Sequence, residues 1–176
     1  MVTLIAPNCE QYDEYGVADM AICAHRRTAL LAGAFAIKIM IAEPQVLFRS
    51  ALISLLNDQH DIEVIAAAGN GKEAVRLAKD RQPDVVVMNI AMPELNGIEA
   101  ARQIHAAYLE TGIVMLSIHS TAELVHDALR AGALGYLLKE AARGEVVAAV
   151  RFVAEGRQYL SQKLTNILRD LLASFE

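Results

Sequence analysis

Aromatic rings and sulfur are scarce in this sequence. There is no Trp, aromatic residues make up 5% of the chain, and Cys9 and Cys23 are the two cysteines among 176 residues. So few rings cannot form the row of stacking side chains with which proteins bind single-stranded nucleic acid. Two cysteines are too few for a disulfide-rich scaffold, and no metal-ligand spacing around them indicates a zinc motif. This sparse use of cysteine favours the reducing cytoplasm as the compartment.

A surplus of positive charge and a long apolar run are also missing. The formal net charge is -5 and the Lys and Arg residues are scattered, so no basic stripe indicates DNA or RNA binding. The triplet His25-Arg26-Arg27 and the apolar residues 28–36 resemble a short export signal. Lys38 follows before the length of a membrane span is reached, so we expect no membrane association and interpret this stretch as the lead-in to a strand. Residues 1–36 are predicted to be an N-terminal extension of unknown role.

From residue 37 onward, short apolar runs alternate with segments of helical periodicity, in a chain that is 55% hydrophobic. The predicted strands are 37–42, 62–67, 84–89, 112–117 and 135–138, and the predicted helices are 46–56, 73–79, 98–107, 122–131 and 145–155. Short loops between them predict right-handed βαβ units and a parallel sheet covered on both faces. The fold class is therefore α/β, with a doubly wound five-stranded parallel sheet in the order 2-1-3-4-5.

A further apolar stripe with helical spacing follows this domain. It consists of Leu160, Leu164, Ile167, Leu168, Leu171 and Leu172, with Ser161 as a plausible N-cap. We expect a domain over 37–157 and an extra C-terminal linker helix over 158–176. The stripe must pack either on the domain or on a helix of a partner.

Polar residues stand where four of the five strands end. Glu43 follows the first strand, Asn89 ends the third, Ser117 ends the fourth and Lys139 follows the fifth. Because ligands bind at the carboxyl ends of strands in such sheets, these four side chains are expected to meet at one edge. Taken singly, each has an ordinary interpretation, and an isolated Asn at a strand end is most often a turn former.

The chain from Ile37 to about Gly156 resembles a receiver domain of two-component response regulators, of the NarL/LuxR-type branch. The motifs that carry the resemblance are Ile41-Ala42-Glu43 with Leu47 and Arg49, Pro83-Asp84-Val85-Val86-Val87-Met88, Met92-Pro93 with Gly97 and Glu99, Ala131-Gly132-Ala133, and Gly135-Tyr136-Leu137-Leu138-Lys139. Their mutual spacing makes the resemblance specific over two thirds of the chain. It implies the flavodoxin/CheY-like form of the predicted fold.

The resemblance also assigns roles at the strand ends. Receivers accept a phosphoryl group on an aspartate that ends the third strand, with Mg²⁺ held by an acidic pair after the first. The phosphoacceptor position here is Asn89, and the acidic pair corresponds to Glu43 and Pro44. The switch residues correspond to Ser117 and Tyr136, and the lysine that contacts the phosphoryl oxygens corresponds to Lys139. The acceptor and the acidic pair both depart from the family pattern.

These departures remove the chemistry of phosphoryl transfer. An amide lacks the anionic oxygen that must act as nucleophile, so Asn89 is not expected to be phosphorylated. Pro44 supplies no ligand, which leaves Glu43 as a weak Mg²⁺ candidate, and we expect no cofactor. We predict that Lys139 pairs with Glu43, directly or through Asn89.

The sequence therefore predicts a signalling domain that is not an enzyme and acts by protein contacts, independently of phosphorylation. The resemblance suggests a partner or a homodimer through helix 1 and helix 5, or through the face of helix 4, strand 5 and helix 5. The candidate contact residues are Val125, Ala128 and Leu129 around Arg130, together with Val147, Val150, Arg151 and Ala154.

Two other functions deserve comparison. In the NarL/LuxR-type branch, residues like Tyr159-Leu160-Ser161 lead into a linker helix and a DNA-binding helix-turn-helix, so the chain is alternatively the regulatory part of a transcription regulator. Because it stops at Glu176, we expect no specific DNA binding by this chain alone. A flavin-binding or aspartate-nucleophile hydrolase domain would need a Ser/Thr/Gly-rich loop or further carboxylates, where this chain has Glu43-Pro44-Gln45.

Overall fold

Strands and helices alternate along the part of the chain that the structure, a computed structural model, describes, which is residues 36–141 and 143–165. The strands are β1 (Ile37–Ala42), β2 (Ile62–Ala68), β3 (Val85–Asn89), β4 (Gly112–Ser117), β5 (Gly135–Leu138) and β6 (Tyr159–Leu160). The helices are α1 (Val46–Asn57), α2 (Gly71–Arg81), α3 (Gly97–Ala107), α4 (Ala122–Arg130) and α5 (Arg143–Ala154). All neighbouring strands pair in parallel, in the order β2-β1-β3-β4-β5-β6. The predicted fold class and strand order are confirmed.

The sixth strand is an addition, because residues 159–160 were predicted to belong to the C-terminal helical segment. The chain turns at Gly156, which has a φ of 70°, and then runs along β5. There the Tyr159 amide donates to the Leu134 carbonyl at 2.9 Å and the Ser161 amide donates to the Tyr136 carbonyl at 3.0 Å. The backbone carbonyls at the free edge of β5 would otherwise be hydrogen-bonded to water, and the amides of Tyr159 and Ser161 replace that water.

The C-terminal helix begins after this strand, and residues 162–165 are helical. Ser161 stands before them as predicted, but its hydroxyl makes no hydrogen bond within the described residues. The remaining stripe residues Ile167, Leu168, Leu171 and Leu172 lie outside the described residues, as do residues 1–35 of the predicted extension over 1–36.

The central strands are buried on both faces, as expected for a parallel sheet covered by helices. Every residue of β3 and β4 is buried. Side chains alternate along each strand, so that Met88, Met115 and Tyr136 join one apolar cluster with α2, α3 and α4. The intervening residues, such as Val87 and Leu116, are equally buried and face the opposite side, where α1 and α5 pack.

Burial corrects part of the predicted contact surface. Val125 and Ala128 of α4, and Val147 and Val150 of α5, are 7% exposed or less, and they form the inward faces of their helices. An apolar stripe identifies the face that packs on the sheet, so these residues are core. The outward face of α4 is polar and includes His126, which is exposed.

Two asparagine–glycine pairs determine where helices begin. The Asn70 side chain accepts from the Glu73 amide at 2.8 Å and caps α2, which therefore begins two residues earlier than predicted. Asn96 caps α3 in the same way. Gly97 is required by close approach, since a Cβ there would lie 2.2 Å from the carbonyl oxygen of Asn89. The end of β3 and the start of α3 are thus held together.

In the described ranges, no helix combines the length and the apolar composition that crossing a bilayer requires.

Candidate functional site

The four polar residues predicted to converge lie together at the carboxyl edge of the sheet. Glu43 follows β1 and is 0% exposed, Asn89 at the end of β3 is 5% exposed, and Ser117 at the end of β4 is 3% exposed. Lys139 follows β5, and its side chain is 13% exposed. Parallel strands bring these ends together although they are far apart in the sequence.

The carboxylate of Glu43 is the centre of this group. Its Oε2 lies 2.7 Å from Lys139 Nζ, and its Oε1 accepts from the Gln45 amide at 3.0 Å and from Asn89 Nδ2 at a longer 3.4 Å. The Arg49 guanidinium donates to the Glu43 backbone carbonyl. The predicted pairing of Lys139 with Glu43 is therefore present, and Asn89 contacts the same carboxylate.

A buried carboxylate needs an opposite charge, because desolvation of an isolated ion is very costly. Lys139 supplies this charge, and its Nζ also lies 4.7 Å from the centre of the Phe48 ring, within cation–π distance. Among the described residues, Oε2 has no hydrogen bond of regular angular geometry. We attribute the 2.7 Å contact mainly to charge attraction between the two groups, which is strong where water is excluded.

The side-chain amide of Asn89 contacts two different groups. Its Oδ1 accepts from the Ala91 amide at 3.1 Å, the turn-forming bond expected of an Asn at a strand end, while its Nδ2 faces the carboxylate of Glu43. A carboxylate at position 89 would place a second negative charge about where Nδ2 now donates. The neutral amide thus fits the single buried anion at this edge.

Ser117 and Tyr136 hold the loop between β4 and α4. The Ser117 hydroxyl accepts from the His119 amide at 2.9 Å, and the buried Tyr136 donates its hydroxyl proton to the His119 carbonyl at 2.8 Å. Burial raises the pKa of Tyr136, and hydrogen bonding to Ser117 acts in the opposite direction. The backbone amide of Lys139 donates to the Ser117 carbonyl at 2.8 Å. Hydrogen bonds thus link Lys139 to Ser117, and both Ser117 and Tyr136 to the backbone of His119.

The donor set for a divalent cation is poor. Within residues 36–141 and 143–165, no group of three or more His, Cys, Asp or Glu side chains could hold a metal ion. Pro44, at the second position of the predicted acidic pair, has no side-chain ligand and no N–H. Mg²⁺ prefers several oxygen ligands, including carboxylates, whereas both Glu43 oxygens already have partners.

Phe48 is the contributor that the sequence analysis did not identify. It lies in the first turn of α1, which begins three residues after Glu43, and its ring covers the ammonium of Lys139. An aromatic residue in an amphipathic helix normally predicts core packing. The signal that could have identified it is its position next to the end of β1.

Comparison with known proteins agrees with this geometry. The family described as "Response regulator receiver domain" matches residues 39–151. The uncharacterized transcriptional regulatory protein YxjL of Bacillus subtilis (strain 168) is 41% identical over 120 residues, which cover 68% of this chain and 55% of that protein. Transcriptional regulatory protein DegU of Brevibacillus brevis is 38% identical over 132 residues, covering 75% and 56%. The chain thus spans little more than half the length of these relatives.

Solved structures give the same result. The receiver domain of the putative response regulator NarL from Mycobacterium tuberculosis has a TM-score of 0.68 and 31% identity, covering 70% of this chain and 99% of that one. A LuxR-family two-component response regulator from Aurantimonas sp. SI85-9A1 has a TM-score of 0.75 and 28% identity, covering 78% and 99%. From its sheet order, its edge constellation and these relatives, the chain belongs to the response regulator receiver domain family.

Proposed function

We propose that this receiver domain signals through protein contacts, without accepting a phosphoryl group. The observation that carries the proposal is Asn89, whose amide occupies the end of β3 with both polar atoms engaged. Acyl phosphate formation needs an anionic oxygen nucleophile, and the lone pairs of an amide are delocalised. The Glu43 carboxylate does not replace it, because it is fully buried and paired with Lys139.

The charge balance of the site supports the same proposal. Lys139, which would contact a phosphoryl group, is already neutralised by Glu43. Moving the ammonium to a new anion would leave that buried carboxylate without its partner, at a cost of several kcal/mol. The conformation is therefore set by the sequence and by partner binding, and a partner acts through its different affinities for alternative conformations.

The same donor set implies weak or absent Mg²⁺ binding, so the domain needs no cofactor and catalyses no reaction. A cytoplasmic location is part of the proposal, since the relatives are named as transcriptional regulatory proteins. For a partner or a second copy, the start of α1 is a suitable contact, because Val46 and Leu47 are 62% and 87% exposed. The face of α4, β5 and α5 is the other candidate surface.

Incubation with Mg²⁺ and acetyl phosphate, read by intact mass, tests the proposal. The wild type should gain no adduct of about 80 Da. The double variant Asn89→Asp/Pro44→Asp restores an anionic nucleophile and a second carboxylate, and it is expected to gain a phosphoryl group at position 89. Both single variants should give less product than the double variant, because each restores one of the two missing parts.

Asn96→Asp is the matched control, because it adds a carboxylate at the exposed cap of α3, where the side chain accepts from the Glu99 amide. It should remain unlabelled. Phosphorylation of the wild type that peptide mapping assigns to this strand edge would overturn the proposal.

A second candidate function has its own support. The relatives YxjL and DegU are named as transcriptional regulatory proteins, and this chain spans about half their length. We therefore also propose that the domain serves as the regulatory part of a transcription regulator. With a net charge of -5, the 176-residue chain should show no specific shift of promoter DNA at low or moderate salt. Sequence-specific nanomolar binding by this chain would contradict that expectation.

A further inference from the structure

Residues 159–165, here called the C-terminal strap, cover the free edge of β5. The strap pairs with β5 through the two-residue strand β6 and through the amides of Tyr159 and Ser161, which donate to carbonyls at 2.9 and 3.0 Å. Its main apolar anchor is Leu164, which is 0% exposed and packs in the same cluster as Tyr136 and Leu138. The strap thus closes an edge that parallel sheets otherwise leave open to pairing.

Polar contacts at its surface add little to this attachment. The Gln162 amide donates to Glu145 Oε1 at 2.9 Å, and Lys163 forms an ion pair with Glu140. Both side chains of that ion pair are 64% exposed, so water and salt screen most of their attraction. The attachment therefore depends chiefly on the pairing of β6 with β5 and on apolar contacts: buried Leu164, Leu160 against the same cluster, and the Tyr159 ring edge-on to Phe152 at 5.5 Å.

Two features weaken the seat of the strap. Ser161 is 2% exposed, and its hydroxyl has no hydrogen-bond partner within the described residues, which is unfavourable for a buried polar group. A surface cleft of about 520 Å³ lies beside it, between the strap and the segment that joins β5 to α5, with Leu138, Glu145 and Gln162 in its wall. Because the cleft is open to solvent, other described side chains do not cover this side of the strap.

We propose that the C-terminal strap is a releasable latch, which opens from β5 while the rest of the domain stays folded. Gly156, with its φ of 70°, precedes the strap and provides a bend about which it can move. Opening frees the carbonyls of Leu134 and Tyr136 at the edge of β5 and uncovers the apolar seat of Leu164. The latch therefore controls access to one of the two surfaces proposed for partners. This goes beyond the proposed function and does not depend on whether Asn89 can be phosphorylated.

Amide hydrogen exchange of the full 176-residue chain tests the latch. The amides of Tyr159 and Ser161 should exchange through a local opening that depends little on urea, whereas the amides of β3 and β4 exchange only through global unfolding. Leu164→Ala should accelerate exchange at Tyr159 and Ser161 by about tenfold or more, and this exchange should still depend little on urea. Leu56→Ala, which truncates an equally buried leucine in α1, should accelerate exchange in β3 and β4 and leave Tyr159 and Ser161 unchanged, because Leu56 stays packed whether the strap is open or closed.

Ser161→Ala supplies a test of opposite sign. It removes a buried hydroxyl that has no hydrogen-bond partner among the described residues, so it should slow exchange at Tyr159 several-fold. The latch is ruled out if Leu56→Ala accelerates exchange at Tyr159 and Ser161 by the same factor as in β3 and β4. Exchange of Tyr159 and Ser161 only through global unfolding in the wild type would equally overturn it.

Discussion

Replacement of Lys139 by Met removes the only cation within ion-pair distance of Glu43 among the described residues. Met has nearly the length of Lys and keeps an apolar contact with the Phe48 ring, so the change isolates the charge. Glu43 is 0% exposed, and loss of one partner from a buried pair costs about 3–5 kcal/mol. Because the Lys139 side chain is 13% exposed and some water can enter, we expect a loss of about 3 kcal/mol.

Urea unfolding followed by far-ultraviolet circular dichroism measures this loss in a chain that has no Trp. With a slope of about 2 kcal/mol per molar urea, a loss of about 3 kcal/mol lowers the midpoint by about 1.5 M. Lys163→Met is the control, since it loses an ion pair whose side chains are 64% exposed, and the free energy of unfolding should change by less than about 1 kcal/mol.

The double variant Glu43→Gln/Lys139→Met tests the physical cause. It removes the buried charge together with its partner, so it should be more stable than Lys139→Met alone, with a coupling energy of about 2 kcal/mol in the double-mutant cycle. The reasoning is refuted if Lys139→Met stays within about 0.5 kcal/mol of the wild type. Additive losses in the double variant would refute it as well, since the two charges would then act independently.

Three further predictions follow from single contacts. The guanidinium of Arg151 donates two 2.8 Å hydrogen bonds to Asp61 and lowers the pKa of that carboxyl; Asp61→Asn should therefore cost up to about 1 kcal/mol at pH 7. A carboxyl whose pKa is lowered by folding stabilises the folded state at pH values above its pKa in the unfolded chain, about 3.9, and this stabilisation is lost as the pH falls through the folded-state pKa. The cost of Asp61→Asn should therefore vanish in urea midpoints measured from pH 7 to 2. A cost that persists at pH 2 contradicts this assignment. Gly97→Ala forces a Cβ to 2.2 Å from a carbonyl oxygen and should lower the free energy of unfolding, measured thermally, by about 1–3 kcal/mol. The control Gly144→Ala, whose Cβ would meet nothing within 4 Å, should be neutral or stabilise by up to about 1 kcal/mol. Equal stability of the two variants would show that the backbone shifts to remove the close contact at position 97. Tyr136→Phe loses one buried hydrogen bond and should cost about 1 kcal/mol, with faster amide exchange in the loop after β4; unchanged exchange there would show that the hydroxyl does not hold the loop.

Much of the fold follows from local patterns. The strands β1, β4 and β5 have the predicted limits, because short apolar runs bounded by Gly, Pro or polar residues are complete signals in themselves. The start of α2 was placed too late, since the pair Asn70-Gly71 was interpreted as a turn when it is the cap and first residue of the helix. Strand β6 was missed because two residues carry no periodicity, and their pairing depends on acceptors that β5 presents only after the sheet has formed.

The residue types at the strand ends limit the chemistry available there, because an amide at position 89 and a proline at position 44 are covalent features that folding does not change. Which of these groups meet depends on how the strands and helices pack. Glu43 and Lys139 follow β1 and β5, which are separated in the sheet by β3 and β4. Their pairing, the Phe48 ring over the ammonium and the burial of the strap residue Leu164 against the core are contacts between distant segments. Periodicity reports the environment of a residue relative to its own helix or strand, whereas the choice of partner depends on how those elements pack.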